Sequence, residues 1–166
     1  MNNIEITKQF IATALNLREK RVNEAVVREN FTSYLRLMFD PETKWVRDHI
    51  QGCEHHVHLV REYREVSGFV DNCIDSIAVE YEKNLKLSSI FDEGYRQVKE
   101  YCASLIRDGV KMSMVQGVLS DTLDWHIYQV IPTEGMKPSD YQESNIQLKE
   151  IDNLDIAEAS DENARK

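Results

Sequence analysis

The segment from residue 68 to residue 83 constrains the fold most, because its pattern predicts two short strands joined by a tight turn. Large apolar side chains stand at every second position of residues 77–82, which is the period of two that a pleated strand imposes on its side chains. Ile77, Val79 and Tyr81 would occupy one face. Glu80 and Glu82 would then share the opposite face, where we expect the chemistry of this chain.

A two-residue turn at positions 75–76 sets the register of this hairpin. It pairs Ile74 with Ile77, and counting back from that pair places Asp71 opposite Glu80. Directly opposed side chains have Cβ atoms roughly 4.5–5.5 Å apart, and like charges at that distance repel each other unless a cation or a proton intervenes. A slip of one residue would instead turn Asp71 to the other face.

The carboxylates of Asp71, Glu80 and Glu82 therefore predict a divalent metal site on one face of the hairpin. The alternative is that the acidic strand is the solvated face of a half-buried sheet. A second metal hypothesis concerns Cys53 and the histidines at 55, 56 and 58, two of which would share a face of a strand. Their spacing is not that of a closed four-ligand zinc site, so a solvated strand is again the alternative.

At 166 residues the chain is long enough to bury a substantial core as one domain, without disulfides or a structural metal. Its three cysteines are scattered, which argues against a disulfide framework. No apolar run approaches the length of a membrane span, and the N-terminus lacks the pattern of a signal peptide. We therefore expect a cytoplasmic protein with no membrane partner.

The formal net charge of −9 is unevenly distributed along the chain. Residues 134–166 hold nine acidic and four basic side chains, so they supply −5 and leave −4 for the first 133 residues. Net charge thus neither supports nor excludes a polyanionic partner. Any claim of DNA binding must rest on the local placement of Lys and Arg together with bound cations.

Hydrophobic periodicity and turn residues predict an α/β (α+β) fold, with a central mixed sheet flanked by helices and with two helices at the N-terminus. Helices are expected at residues 4–20, 22–39 and 88–107, with a further short helix at 44–51. Strands are expected at residues 55–66, 68–74, 77–82, 111–119 and 125–131, with an edge strand at 146–151. Residues 157–166 have the polarity of a disordered tail.

Four pieces of the chain, in order, resemble the PD-(D/E)xK nuclease superfamily, particularly the nuclease-like domain near the N-terminus of type I restriction-enzyme R subunits and related restriction–modification proteins. Gly-Phe-Val-Asp ending at Asp71 resembles the family's Gly-Arg-x-Asp segment, and Glu80-Tyr-Glu82 resembles its Glu-x-Lys strand. Gln97 and Tyr101 fit a Gln-x-x-x-Tyr motif. Residues 117–128 resemble the strand, turn and aromatic strand that close the family's restriction-endonuclease-like core.

The resemblance implies that Asp71 and Glu80 are ligands of Mg²⁺, for which Mn²⁺ can substitute, with the backbone carbonyl of Tyr81 completing the site. It also implies that Gln97 and Tyr101 hold a water molecule or a phosphate by hydrogen bonds.

The family also includes members with an acidic residue on the preceding helix, to which Glu24 corresponds loosely. The alternative for Glu24 is a surface ion pair with Arg28, one helical turn away.

At position 82 the chain has glutamate where the family has lysine, a cation that orients the water and stabilises developing charge. In one interpretation Glu82 is a general base or helps to hold a second metal, and Lys83 or Lys86 supplies the cation. In the other, the site is degenerate and is retained for its fold and for binding. Phe69, which stands in place of the family's arginine, favours the second interpretation.

The resemblance implies a metal-dependent DNA endonuclease domain of a restriction or phage-defence system, which hydrolyses phosphodiester bonds. DNA and further domains or subunits of a restriction–modification complex would be its partners. The alternative is a catalytically degenerate nuclease-fold module for protein or nucleic-acid interaction. We expect residues 1–133 to form the nuclease-like domain, and residues 134–166 to form an acidic linker or tail that includes the one edge strand. The side chains expected to contact DNA are Lys83, Lys86, Arg96 and Lys99.

Overall fold

The computed structural model describes residues 2–38 and 76–166, together with the backbone of residues 55–61, 64–70 and 72–74. The elements are, in order, α1 (Asn3–Glu19), α2 (Glu24–Met38), β1 (His55–Arg61), β2 (Arg64–Val70), β3 (Asn72–Ile74), β4 (Ile77–Tyr81), α3 (Ser88–Arg107), β5 (Gln116–Ser120), β6 (Asp124–Ile131) and β7 (Gln147–Asp155). Short 3-10 helices lie at Met112–Met114, Pro138–Asp140 and Asn163–Arg165. No helix of the described residues is both long enough and apolar enough to span a membrane.

Side-chain caps start the two N-terminal helices. The side chain of Asn2 accepts a hydrogen bond from the backbone N–H of Glu5 at 2.9 Å, and Asn23 accepts one from Val26 at 3.1 Å. The chain leaves α1 through Arg21, whose φ of 53° lies in the left-handed region that ends helices. The two helices then pack together, with the rings of Phe10 and Tyr34 stacked 4.3 Å apart.

Five strands form a mixed sheet in the order β3-β4-β5-β6-β7. Strands β4 and β5 are parallel, and the other neighbouring pairs are antiparallel. A parallel pair needs a crossover connection, which α3 provides between β4 and β5. Strands β1 and β2 form a separate antiparallel hairpin. The predicted fold class, a mixed sheet flanked by helices, is confirmed. The restriction-endonuclease-like core stays a prediction.

The larger core lies between the sheet and α3. Ala78, Leu119 and Tyr128 meet Val98 and Cys102 of the helix there. Gly117 allows the close approach: a Cβ atom at this position would lie 2.3 Å from Cγ1 of Val98. The glycine in β5 therefore determines how tightly α3 can pack on the sheet.

The opposite face of the sheet packs against α2. Val79, Tyr81 and Val118 form a cluster there, and the ring of Phe31 lies 5.7 Å from that of Tyr81. Alternate residues of β4 thus contribute to different cores, as the period of two in its sequence requires.

The hairpin formed by β3 and β4 has the predicted register over its described length. Ile74 pairs with Ile77, and Asn72 pairs with Val79. The next expected pair is Asp71 with Glu80, and Asp71 lies outside the described residues. The predicted helix at 44–51, Cys53 and the side chains of the three strand histidines also lie outside them.

Three segments differ from the expected elements. The strand expected at residues 111–119 begins only at Gln116, after a 3-10 helix at Met112–Met114. The single strand expected at residues 55–66 is divided between β1 and β2, in which Arg61 pairs with Arg64. The C-terminal edge strand is longer than expected, because β7 follows β6 over nearly its whole length. Its exposed polar and charged residues weaken the strand signal beyond residue 151 and are typical of a protected sheet edge.

Residues 157–166 lie against α1. Nζ of Lys8 is 2.9 Å from Oδ1 of Asp161, and Ala159 packs against the cluster around Phe10 and Ile11. Ile156, at the end of β7, belongs to the same cluster. The C-terminal segment thus contributes to the packing of the N-terminal helix.

Candidate functional site

Two buried carboxylates lie where β4 passes beneath α3. Glu80 is 5% exposed and Glu82 is 9% exposed. Because side chains alternate along a strand, Glu80 lies on the same face as Ala78, which belongs to the core under α3. Glu80 is opposite Leu119 in the register of β4 with β5. Both carboxylates are therefore on the helix-covered face of the sheet.

Gly94 brings α3 into direct contact with Glu82. A Cβ atom at Gly94 would lie 3.0 Å from Cγ and 3.2 Å from Oε1 of Glu82. It would also lie 2.6 Å from Cδ1 of Leu119, so no larger residue fits without a shift. Sequence reasoning did not single out Gly94, although a glycine inside a helical pattern is a recognised sign of close packing.

Gln97 and Tyr101 lie on the same side of α3 as Gly94, because they follow it by three and seven residues. The hydroxyl of Tyr101 donates a hydrogen bond to Oε1 of Gln97 at 3.2 Å. Tyr101 is 4% exposed and contributes to the larger core. The structure thus brings Glu80, Glu82, Gln97 and Tyr101 onto facing surfaces of β4 and α3.

Glu100 is a further buried carboxylate on α3, and it is only 2% exposed. One of its oxygens lies 3.4 Å from Nη1 of Arg96, which also pairs with Glu93 at 2.7 Å. Glu100 lies inside the segment that resembles the Gln-x-x-x-Tyr motif, but its burial was not predicted. The helix pattern alone could have placed it beside Gln97 and Tyr101.

Glu24 is on α2, a different element from those that carry Glu80, Glu82, Gln97 and Tyr101. It opens α2, and α2 packs on the face formed by Val79 and Tyr81. Glu80 and Glu82 are on the face of the sheet that α3 covers. The correspondence of Glu24 to the acidic residue on the family's preceding helix stays a prediction.

The donor chemistry of this site suits Mg²⁺, because carboxylate oxygens are its usual protein ligands. Within the described residues, however, no group of three or more His, Cys, Asp or Glu side chains is placed to hold a metal ion. Glu80 and Glu82 are two of the three carboxylates that the sequence predicts for this site. The third, Asp71, lies outside the described part of the chain.

Most of the side chains expected to contact DNA form ion pairs within the protein. Nζ of Lys86 lies 2.7 Å from Asp155 and 3.1 Å from Asp124, and the hydrogen bond with Asp155 raises the pKa of Lys86. Nζ of Lys99 lies 3.4 Å from Glu143. Arg96 pairs with Glu93 and Glu100, whereas Lys83 lines a cavity together with Arg18 and Arg21. The structure therefore places three of the four predicted DNA-contacting side chains in ion pairs and the fourth, Lys83, in the wall of a cavity.

A buried network next to Lys86 was not predicted from the sequence. Asp121, whose side chain is fully buried, accepts hydrogen bonds from the backbone N–H groups of Leu85, Leu123 and Asp124. Nη2 of Arg18 approaches it to 2.6 Å. Asp121 therefore joins the end of α1, the segment after β4 and the turn between β5 and β6.

Asp124 and Asp155 share a hydrogen bond across β6 and β7, in which they are paired. Burial and this hydrogen bond raise the pKa of Asp124. The same hydrogen bond, together with one from Lys86, lowers the pKa of Asp155. Asp124 is thus the member of the pair that holds a proton more readily.

We find no protein-family model, no curated protein and no solved structure that matches this chain.

Proposed function

We propose that this protein is a metal-dependent DNA endonuclease domain, which acts in the cytoplasm as one module of a larger restriction or phage-defence complex. The observation that supports this proposal is the placement of two buried carboxylates, Glu80 and Glu82, beneath a helix that presents Gln97 and Tyr101 to the same side. Asp71 is the third acidic residue of the proposed site.

Each residue has a defined task in the proposed reaction. Asp71 and Glu80 would hold the divalent ion, which supplies Lewis-acid polarisation of a phosphate oxygen when it is bound. Glu82 would accept a proton from the attacking water, because a carboxylate can act as a general base. The side-chain amide of Gln97 would donate a hydrogen bond to the phosphate, and Tyr101 would hold that amide in position.

The proposal is tested by incubating supercoiled plasmid with the purified protein and Mg²⁺ or Mn²⁺. Glu80→Gln and Glu82→Gln retain side-chain size, so each should fold and should lower the cleavage rate by about two to four orders of magnitude. Glu134→Gln, which changes an exposed carboxylate, is the matched control and should cleave as the wild type does. Cleavage that persists unchanged in Glu80→Gln would refute the proposed site.

A second candidate function is that of a catalytically degenerate nuclease-fold module. The close contact of Glu82 with Gly94 favours it, because a carboxylate packed beneath a helix has little access to a substrate. This candidate predicts no cleavage by the wild type with either metal. It also predicts that Glu82→Lys, which restores the family's lysine, gains activity while Glu82→Gln does not.

A further inference from the structure

A cavity of about 370 Å³ lies between the end of α1 and the segment that joins β4 to α3. Its lining residues are Arg18, Arg21, Lys83, Asn84 and Leu87. Three of these five side chains are cationic, in a chain whose formal net charge is −9. The cavity therefore has a cationic lining, although the molecule as a whole is negatively charged.

Arg18 is held in place by the buried network. Its Nη2 lies 2.6 Å from Oδ1 of Asp121 and 3.1 Å from Oδ2 of Asp124. Its Nη1 and Nε form no hydrogen bond with any described residue. The two aspartates thus orient a guanidinium group and leave Nη1 as a donor for a further acceptor, which reduces the entropy lost on binding.

Arg21 and Lys83 are the two cationic side chains of the cavity that have no acidic partner among the described residues. In the part of the chain that the structure describes, neither forms an ion pair or a side-chain hydrogen bond. Both are exposed, and the left-handed φ of 53° at Arg21 turns the chain directly after α1. Together they carry a charge of +2, whereas Lys86, in the same segment as Lys83, is neutralised by Asp124 and Asp155.

We propose that this cavity binds the phosphate group of a small phosphate monoester. Near neutral pH such a group carries a charge close to −2, which matches the charge of Arg21 and Lys83. Guanidinium groups suit the geometry of phosphate oxygens. The cavity has room for an organic part as well as the phosphate, and Leu87, which is 51% exposed, offers an apolar wall for it.

The surroundings favour a small ligand over a nucleic-acid strand. A strand is bound along a row of cations, each of which neutralises one phosphate. Lys86, Arg96 and Lys99 are instead paired with carboxylates of the protein, so of the four side chains expected to contact DNA only Lys83 forms no ion pair with a described residue. The inference does not rest on the proposed nuclease activity, because none of the proposed catalytic residues lines this cavity.

The test is isothermal titration calorimetry at low salt with inorganic phosphate, adenosine 5′-monophosphate and adenosine. The monophosphate should bind more tightly than phosphate, and adenosine should not bind measurably. Arg21→Gln and Lys83→Gln should each weaken binding of the monophosphate by roughly tenfold or more, as expected for a lost charge-assisted hydrogen bond. Lys20→Gln is the matched control, because Lys20 is the exposed neighbour of Arg21 and lines a different cavity. The affinity of this variant for the monophosphate should stay within about twofold of the wild-type value.

Four results would overturn the proposal. The first is the absence of saturable binding of phosphate or the monophosphate at about 1 mM. The second is binding of adenosine as tight as that of the monophosphate, and the third is an equal loss of affinity in Lys20→Gln. The fourth is tighter binding of duplex DNA that depends on the same two residues, which would assign the cavity to a nucleic-acid backbone.

Discussion

Asp121 shows how much one buried carboxylate can organise. It accepts three hydrogen bonds from backbone N–H groups. It also forms an ion pair with Arg18, which is 103 residues away in the sequence. The adjacent Thr122 has a φ of 72°, a region that β-branched residues rarely occupy. The hydrogen bonds of Asp121 offset the energetic cost of this turn, and they bring Arg18 to the cavity.

The pKa shifts of Asp124 and Asp155 predict opposite dependences of stability on pH. The pKa of Asp124 is raised in the fold, so its stabilising contribution is present at acid pH and is lost as pH rises through that raised pKa. Asp124→Asn is neutral at every pH. Its free energy of unfolding should therefore improve relative to that of the wild type as pH rises from about 4 to 7.

Asp155→Asn should behave in the opposite sense. The pKa of Asp155 is lowered in the fold, so its contribution is present above about pH 4 and is lost as pH falls through the lowered value. The advantage of the wild type over Asp155→Asn should thus shrink at acid pH. Urea unfolding at a series of pH values measures both trends, and two differences that stay constant with pH would contradict the shared hydrogen bond.

At the scale of elements, the packing of α3 on β4 depends on Gly94. Gly94→Ala would gain about 1 kcal/mol of helix propensity, but its methyl group would collide with Leu119 and Glu82. Overpacking costs about 1–3 kcal/mol, so we expect a net loss of about 1 kcal/mol. Urea unfolding measures it. Ser89→Ala, at an exposed position of the same helix, is the control, and a Gly94→Ala protein more stable than the wild type would show that α3 does not pack closely there.

At the scale of the whole molecule, the proposed function predicts metal-linked stability. Acidic residues exceed basic ones by nine, and carboxylates gathered beneath α3 would repel one another without a cation. Mn²⁺ at one hundred times its Kd should therefore stabilise the fold by about 2.7 kcal/mol and raise Tm. Asp71→Asn and Glu80→Gln should abolish this shift.

Glu134→Gln is the control for this measurement and should keep the full shift in Tm. An unchanged shift in Asp71→Asn would remove Asp71 from the site. If the wild type shows no shift with Mn²⁺, Mg²⁺ or Ca²⁺, the degenerate module becomes the better account of the protein.

The sequence by itself determined the elements whose signals are local. The 3.6-residue period places α1, α2 and α3 within two residues of their observed ends, and the turn at positions 75–76 determines the register of β3 with β4. The same reasoning predicted the edge strand only to residue 151, whereas β7 extends to Asp155, because a protected sheet edge carries few apolar residues and its signal is weak.

Only the tertiary structure decided which helix covers each face of the sheet: α3 lies on the face of Ala78, and α2 lies on the face of Val79 and Tyr81. It also decided the partners of the charges: Lys86 meets Asp155, and Arg18 meets Asp121, across long distances in the sequence. The physical reason is that periodicity and turn chemistry act over a few residues. Ion pairs, cavities and the burial of a carboxylate depend instead on segments that meet only when the sheet and its helices are assembled.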